Sequence, residues 1–534
     1  MDLHGDFHVY DTTLRDGAQQ EGLTLSVADK LSIARQLDGL GVGYVEGGWP
    51  GANPKDTAFF ARARDELDLR HAKLTAFGAT RRAGVAAADD PLVAALRDSG
   101  AGVVTLVAKS HDRHVELALR TTLEENLAMV RDTVAHLRAE GQEVFLDAEH
   151  FFDGYRANRA YALEVLRTAT EAGASVVALC DTNGGMLPGW VGDVVHDVVE
   201  STGARVGIHC HNDTGCAVAN TLAAVDAGAS HVQGTVNGYG ERTGNADLVA
   251  VVANLQLKLG RQVLPEGLLR EATRIAHAVA EVTNVPPASR QPYVGTSAFA
   301  HKAGLHASAI KVDPDLYQHM DPLGVGNDMR LLVSDMAGRA SIELKGRELG
   351  FDLSTDSAEG RDLVARVTGR VKELELRGHT FEAADASFEL LLLEELEGAR
   401  PSYVEVESWR VITETLTHAA PGEEAISEAT VKLRAGGVRY VTTGEGNGPV
   451  NALDQALRTA IGQAYPQVTR FELIDYKVRI LDQGHGTDAI TRVLIETSDG
   501  ESSWVTVGVG ANVIEASWGA LLDGLTYGLR RQGA

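Results

Sequence analysis

The chain has little cysteine, no long apolar run and a shortage of positive charge. Three cysteines in 534 residues, Cys180, Cys210 and Cys216, make no disulfide framework and no CxxC metal spacing. A reducing cytoplasm is the compartment that fits. No stretch is apolar over a membrane's thickness, and the polar N-terminus lacks the basic flank and apolar core of a signal peptide. Formal net charge is −25, which excludes general affinity for nucleic acid or anionic membrane. Hydrophobic residues make up 44% and charged residues 23%, the mix of a soluble globular protein. The length calls for two or three domains.

The first half repeats one theme, a short apolar run followed by a stretch with helical spacing. The runs are His8–Thr12, Gly43–Glu46, Lys73–Phe77, Val103–Ala108, Val144–Glu149, Val176–Asp181, Arg205–His209 and His231–Val236. Eight such units predict a (β/α)8 barrel, an α/β fold, over residues 1–262. An open doubly wound sheet is the runner-up, but no GxGxxG opens a helix after the first run. Reactive residues fall at successive run ends: Arg15 and Asp16, Glu46, Glu149, Asp181 and Thr182, His209 and His211, then Asn237 through Asn245. A barrel collects all of them at its C-terminal rim.

Residues 263–400 read as helical linker subdomains, jointed at Val285-Pro286-Pro287. Residues 401–534 are strand-rich and carry an internal repeat. Gly444 and Gly446 precede Val450, Ala452, Ala456 and Leu457, and at one constant offset Gly508 and Gly510 precede Ile514, Ala516, Ala520 and Leu521. Each set lies between a β-run and an amphipathic helix, so an α+β domain of two ββα units is expected.

His209-Cys210-His211-Asn212-Asp213 puts two imidazoles on one face of an extended segment. A lone HxH is weak evidence, because buried structural histidines are common. Here Asp16 and Asn245 stand at other strand ends, and the four together suit Zn²⁺, Mn²⁺ or Mg²⁺ without choosing among them. In Asp11-Thr12-Thr13-Leu14-Arg15-Asp16-Gly17 the pair Arg15 and Asp16 is a surface ion pair or a metal ligand beside an oxyanion binder.

Those two segments, with Asn237-Gly-Tyr-Gly-Glu-Arg-Thr-Gly-Asn245 and Phe299-Ala-His-Lys-Ala-Gly-Leu-His306, together resemble the family of 2-isopropylmalate, homocitrate and citramalate synthases. The likeness covers essentially the whole chain. It implies a metal-dependent acyltransferase that condenses acetyl-CoA with a 2-oxo acid. By that resemblance Asp16, His209, His211 and Asn245 match the metal ligands. Arg15 matches the arginine that steadies the developing negative charge, Thr182 the holder of the oxo-acid carboxylate, and Glu149 and Glu241 active-site glutamates. His306 and Tyr317 match a pair delivered from the partner subunit's linker, which implies a homodimer; spacing before Tyr317 varies within the family. Without the resemblance, His306 reads as a structural histidine.

The segment Val45-Glu-Gly-Gly-Trp49-Pro-Gly-Ala-Asn-Pro-Lys-Asp56 looks like the citramalate branch, with pyruvate as acceptor. Trp49, Phe77 or Leu106 would narrow the pocket, although Trp49 also suits packing beneath the rim. A missing methylene is sensed by only roughly 1–3 kcal/mol, whereas exclusion of a larger group is sharper. The C-terminal repeat resembles the family's effector domain and implies a branched-chain amino acid, isoleucine being the logical one, with the turns at Gly444, Gly446, Gly508 and Gly510 offering N–H groups to its carboxylate. Two other classes remain: a lyase on the same barrel, which has no use for residues 401–534, and an amino-acid sensor on a dead barrel, which has no use for five intact site residues.

Overall fold

The eight apolar runs form β1 (His8–Asp11), β2 (Tyr44–Gly48), β3 (Lys73–Ala79), β4 (Val103–Lys109), β5 (Glu143–Glu149), β6 (Val176–Asp181), β7 (Val206–Cys210) and β8 (His231–Gly234). They are parallel and close in sequence order, with β1 pairing both β2 and β8. The computed structural model describes residues 3–334, 336, 338–353, 357–414, 426–481 and 489–533. Each strand is covered by a helix outside and by its neighbours within, so its apolar residues run continuously rather than alternating.

The helices start and stop on local chemistry. Val27–Leu40 opens with a reciprocal capping box between Ser26 and Asp29 and ends at left-handed Gly41. Pro54–Glu66 begins with an Asn53 cap and proline in its first turn. Below the rim, the barrel is plugged by Tyr10, Tyr44, Val103, Phe145 and Val176, with the His231 ring against Tyr10 and Phe145. The polar residues at the C-terminal strand ends stand above this layer, while His8 and His231 pair with each other within it at 3.2 Å.

The chain divides into two compact units. The barrel unit comprises Met1–Phe299 and Met320–Asp328. Its helix Ala272–Thr283 packs on Val27–Leu40, and Gln291 Nε2 donates to Asn237 Oδ1 and Asp247 Oδ2, both at 3.0 Å. The second unit comprises Ala300–His319 and Met329–Ala534. It holds a short parallel pair, β9 (Ala300–His301) and β10 (Arg330–Leu331), and helices Arg339–Glu348, Ala358–Leu376 and Asp385–Glu397. Ile342, Leu353, Val364, Val367, Phe381 and Phe388 form a small core there.

Two antiparallel sheets follow, β11 (Val404–Glu414), β12 (Ile426–Ala435) and β13 (Val438–Gly446), then β14 (Glu472–Ile480), β15 (Thr491–Ser498) and β16 (Ser503–Gly510). Each is backed by a helix, Pro449–Ala464 or Val513–Arg531. The repeat is therefore βββα, one strand more than its glycine landmarks reveal, because β11 and β14 carry no glycine turn, although Val404, Val406 and Trp409 of β11 and Leu473 and Tyr476 of β14 pack on the core. The duplication extends to single atoms. Thr442 Oγ1 donates to Ala456 O and Thr506 Oγ1 to Ala520 O, each at 2.8 Å. A Cβ on Gly444 would stand 2.4 Å from Ala456 N, and one on Gly508 would stand 1.9 Å from Ala516 O. These two glycines let the backing helix lie directly on the last strand of its sheet. Among the described residues no helix is long and apolar enough to cross a membrane.

Candidate active site

The loop after β1 is folded by its own side chains. Asp11 accepts from Thr13 N at 2.8 Å and Thr13 Oγ1 at 2.9 Å, and Thr13 Oγ1 accepts from Val236 N at 2.9 Å. This ties the first strand end to the last and delivers Arg15 and Asp16 to the mouth. Burial pushes the Asp11 carboxyl up to about 7.

Arg15 is held on three sides. Its Nε donates to Glu46 Oε2 at 2.6 Å, Nη1 stands 3.5 Å from Asp16 Oδ2, and the guanidinium carbon lies 3.8 Å from the centre of the Phe77 ring. Glu46 is fully buried and also accepts from Tyr10 Oη and Thr12 Oγ1. Burial opposes the Arg15 charge, but Glu46, Asp16 and Asp147 outweigh it, and the group stays a cation.

Asp16 Oδ2 lies 3.1 Å from His209 Nε2 and 3.8 Å from His211 Nε2. The three side chains are buried and offer ligand atoms all within 4.8 Å of one another. Burial opposes ionisation of Asp16, yet Arg15 and the imidazoles hold its carboxyl well below the usual range. Burial, with the neighbouring His209, lowers His211 to about 4 and keeps it neutral. His209 is raised, because its bond to Asp16 outweighs its burial. Asn245 bridges the backbone of His211, and its Nδ2 donates to Tyr239 O at 3.0 Å. Its buried Oδ1 and the buried His211 Nδ1 find no partner among the described residues. A carboxylate, two imidazoles and an orphaned amide oxygen are the donor set of a divalent-ion site, so the residues present fit one.

A cavity of 280 Å³ at this mouth is lined by Arg15, Asp16, Trp49, Glu149, Thr182, His209, His211 and Glu241, eight of the residues expected from sequence. Thr182 Oγ1 accepts from His150 N at 2.8 Å, which leaves its own hydrogen to donate. His150 is in the left-handed region, φ 56°, and that turn is what aims its N–H at Thr182. Glu149 pairs with Lys109. Trp49 meets Phe77 edge to face with centroids 5.5 Å apart.

Other expectations fare differently. Leu106 does not line this cavity; Val107 does, because β4 alternates and Leu106 faces outward into the fully buried core beneath the helices. His306 and Tyr317 belong to the second unit, where their rings stack with centroids 4.1 Å apart. Gly444, Gly446, Gly508 and Gly510 meet their backing helices instead of lining the domain's 690 Å³ cavity. That cavity is walled by Asn447, Val450, Asp454, Arg458, Glu472 and Tyr476, among others.

Sequence reasoning missed several groups at the barrel mouth. Asp147 lines the cavity, and burial, reinforced by Glu46, pushes its carboxyl up to about 6. Arg242 donates to Asp213 Oδ1 at 2.8 Å and to Thr182 O at 2.7 Å, bracing that loop. Asp147 lies two residues before Glu149, and strand alternation from Glu149 points it inward.

Comparison with known proteins gives the same order of parts. The HMGL-like family matches residues 6–279, the homocitrate synthase post-HMGL domain-like family residues 293–378, and the LeuA allosteric (dimerisation) domain residues 382–529. The chain is 68% identical over 532 residues to an (R)-citramalate synthase of Streptomyces coelicolor, covering 100% of this chain and 98% of that protein. It is 48% identical to one of Synechocystis sp., covering 98% and 96%. A 2-isopropylmalate synthase of Pyrococcus furiosus is 30% identical, covering 97% and 98%. Matched along its whole length and far more strongly by the first activity than by the second, the chain belongs to the citramalate synthase branch of the family that also holds the 2-isopropylmalate and homocitrate synthases.

Proposed function

We propose that this chain condenses acetyl-CoA with pyruvate and hydrolyses the thioester, giving (R)-citramalate and CoA on a route to isoleucine. One observation carries the reading. A pinned arginine cation, a buried Asp-His-His cluster and a threonine with a free hydrogen face one small cavity, in a chain that curated citramalate synthases match end to end.

Asp16, His209, His211 and Asn245 would hold the ion, whether Mn²⁺, Zn²⁺ or Mg²⁺. When bound, it supplies Lewis acidity to the carbonyl of the 2-oxo acid. Thr182 donates its hydroxyl hydrogen to the substrate carboxylate. His306, with Tyr317 beside it, takes a proton from the acetyl methyl group; both come from a partner subunit, as the family resemblance implies. The resulting carbon nucleophile adds to the ketone carbon, and the Arg15 guanidinium steadies the negative oxygen that forms. Glu149 serves as a further active-site carboxylate, and Glu241 serves the acetyl-CoA side. Water then cleaves the thioester, which makes the sequence irreversible. The Trp49 and Phe77 rings leave room for a methyl group and crowd an isopropyl group.

The second unit fits an aliphatic amino acid effector, and isoleucine is the feedback signal consistent with this output. Its 690 Å³ cavity combines Val450 and Leu473 with acidic Asp454 and Glu472 and the amino end of helix Pro449–Ala464. The enzyme is a cytoplasmic homodimer in this reading.

The test is CoA release, read with a thiol reagent, from acetyl-CoA with pyruvate, 2-oxobutyrate, 2-oxoisovalerate or 2-oxoglutarate, with and without chelator and isoleucine. Chelator-sensitive release fastest with pyruvate and slowed by isoleucine is expected. Fastest release with 2-oxoisovalerate overturns the substrate. No release from folded, metal-loaded protein overturns the condensation.

A further inference from the structure

Behind His209 lies a hydrogen-bonded line that the reaction above does not use. Asp147 projects from β5, and Gln233 and His231 from β8, all three buried. Gln233 Nε2 donates to Asp147 Oδ1 at 2.8 Å and lies 3.3 Å from His231 Nε2. Gln233 Oε1 faces His209 Nδ1 at 2.9 Å.

A side-chain amide has two unlike ends: its oxygen only accepts and its NH₂ only donates. A carboxylate only accepts, so Asp147 can face only the NH₂ end of Gln233. That leaves Oε1 toward His209, and His209 Nδ1 must then carry a hydrogen to donate. The lone pair of the imidazole is thereby assigned to Nε2, the nitrogen that faces Asp16. Turned the other way, the amide would set NH₂ against Nδ1, drive the hydrogen onto Nε2 and remove a ligand. The second N–H of the amide is used as well, on His231, whose burial keeps it neutral and able to accept.

We propose that Asp147 is a positioning residue: through Gln233 it locks His209 in the Nδ1–H tautomer and so sets the affinity of the site for its divalent ion. The inference rests on Asp16, His209, His211 and Asn245 being the ligands. It adds a requirement on two residues that touch no ion, and the requirement acts before any substrate arrives.

The experiment is calorimetric titration of chelator-stripped, full-length protein with Mn²⁺, without substrate. Asp147→Leu keeps the branched outline, in a somewhat larger side chain, and removes the acceptor; it is expected to weaken Mn²⁺ binding about 10–100-fold, the range found when partners of metal-ligating histidines are lost. Its unfolding midpoint in chelator reads the separate structural cost of the orphaned Gln233 N–H, and a purely structural role would leave Mn²⁺ affinity of the folded protein unchanged. Gln233→Glu sets two carboxylates against each other and should also weaken binding. Adding Asp147→Asn to that variant rebuilds the line in reverse: the new amide donates to the new carboxylate, whose other oxygen accepts from His209 Nδ1–H. The double variant should therefore bind Mn²⁺ more tightly than Gln233→Glu alone, and this comparison carries the test if Asp147→Leu fails to fold. Unchanged affinity in Asp147→Leu, or a double variant no better than Gln233→Glu, overturns the inference. A parent protein that binds no divalent ion overturns the ligand assignment itself, and the inference with it.

Discussion

Replacing Glu46 separates aim from charge at Arg15. The carboxylate is fully buried and receives Tyr10, Thr12 and Arg15 at once, with 2.5 Å to Tyr10 Oη and 2.6 Å to Arg15 Nε. Glu46→Gln keeps the volume. The new amide can turn its oxygen to Thr12 and Arg15 and its NH₂ to Tyr10, whose hydroxyl can donate instead to Thr105 Oγ1, 2.8 Å away. Aim survives while the counter-charge is lost. Hydrogen bonds to a charged group are worth about 1.5–3 kcal/mol each, and here the Thr12 bond persists in neutral form and the Arg15 bond with the charge on the arginine alone, so a stability loss of about 2 kcal/mol is expected. Glu46→Ala removes every partner and leaves the arginine buried with only Asp16, which costs about 3–5 kcal/mol. In catalysis the order should be the same. Loss of an aligned oxyanion donor costs about 10²–10³ in kcat. Glu46→Ala should fall in that range and Glu46→Gln about tenfold less, both read by CoA release from protein shown to be folded, with stability from urea titration. A folded Glu46→Ala enzyme with parental kcat refutes the claim that Glu46 aims Arg15.

Two further outcomes follow from packing and capping. Gly508→Ala would force a methyl group to within 1.9 Å of Ala516 O and should destabilise the C-terminal domain by about 3 kcal/mol, whereas Gly462→Ala, in a helix with nothing within 4 Å of the new carbon, should stabilise it by about 0.5–1 kcal/mol; calorimetry giving both the same sign refutes the close-approach argument. Asp90 is buried at the start of helix Pro91–Asp98 and accepts from Leu92 N at 2.9 Å and Arg82 N at 3.0 Å. Burial opposes its ionisation, but these donors outweigh it and hold the carboxyl below its ordinary value. Its contribution is therefore complete above the ordinary value of about 4 and is lost as pH falls through the lower folded one. Asp90→Ala should cost about 1 kcal/mol at pH 7, with the gap in Tm closing only in that acid window, and a gap independent of pH refutes it.

What was legible in the sequence follows from what each signal encodes. All eight barrel strands show as apolar runs, and their polar ends mark the rim, because a parallel strand hides its sides and bares its C-terminal end. Parity is the part that shows least. In β4 only Thr105 and Lys109 mark the inward face, so that Val107 points inward and Leu106 outward has to be read from two polar letters in an otherwise apolar run. Asp147 and Gln233 are hidden for a related reason: each stands inside an apolar run, where one polar letter reads as noise until a neighbour of known direction fixes its face. Glu46 was visible as a strand end, but its grip on Arg15 joins residues from different strands and requires the closed sheet. The first strand of each C-terminal repeat escapes a reading keyed on glycine turns, because neither β11 nor β14 has one, although Val404 and Val406 alternate with Glu405 and Glu407.

The aromatic plug of Tyr10, Tyr44 and Phe145 closes the floor of the reaction chamber and, among the described residues, leaves the rim as its way in. Both substrates, the hydrolytic water and both products must share it. Traffic through one door runs last in, first out. On the proposed reaction, an oxo acid held by Thr182 and Arg15 would have to enter before a thioester seated above it. CoA would then have to step aside before the new dicarboxylate could leave, because the aromatic layer closes the floor beneath them.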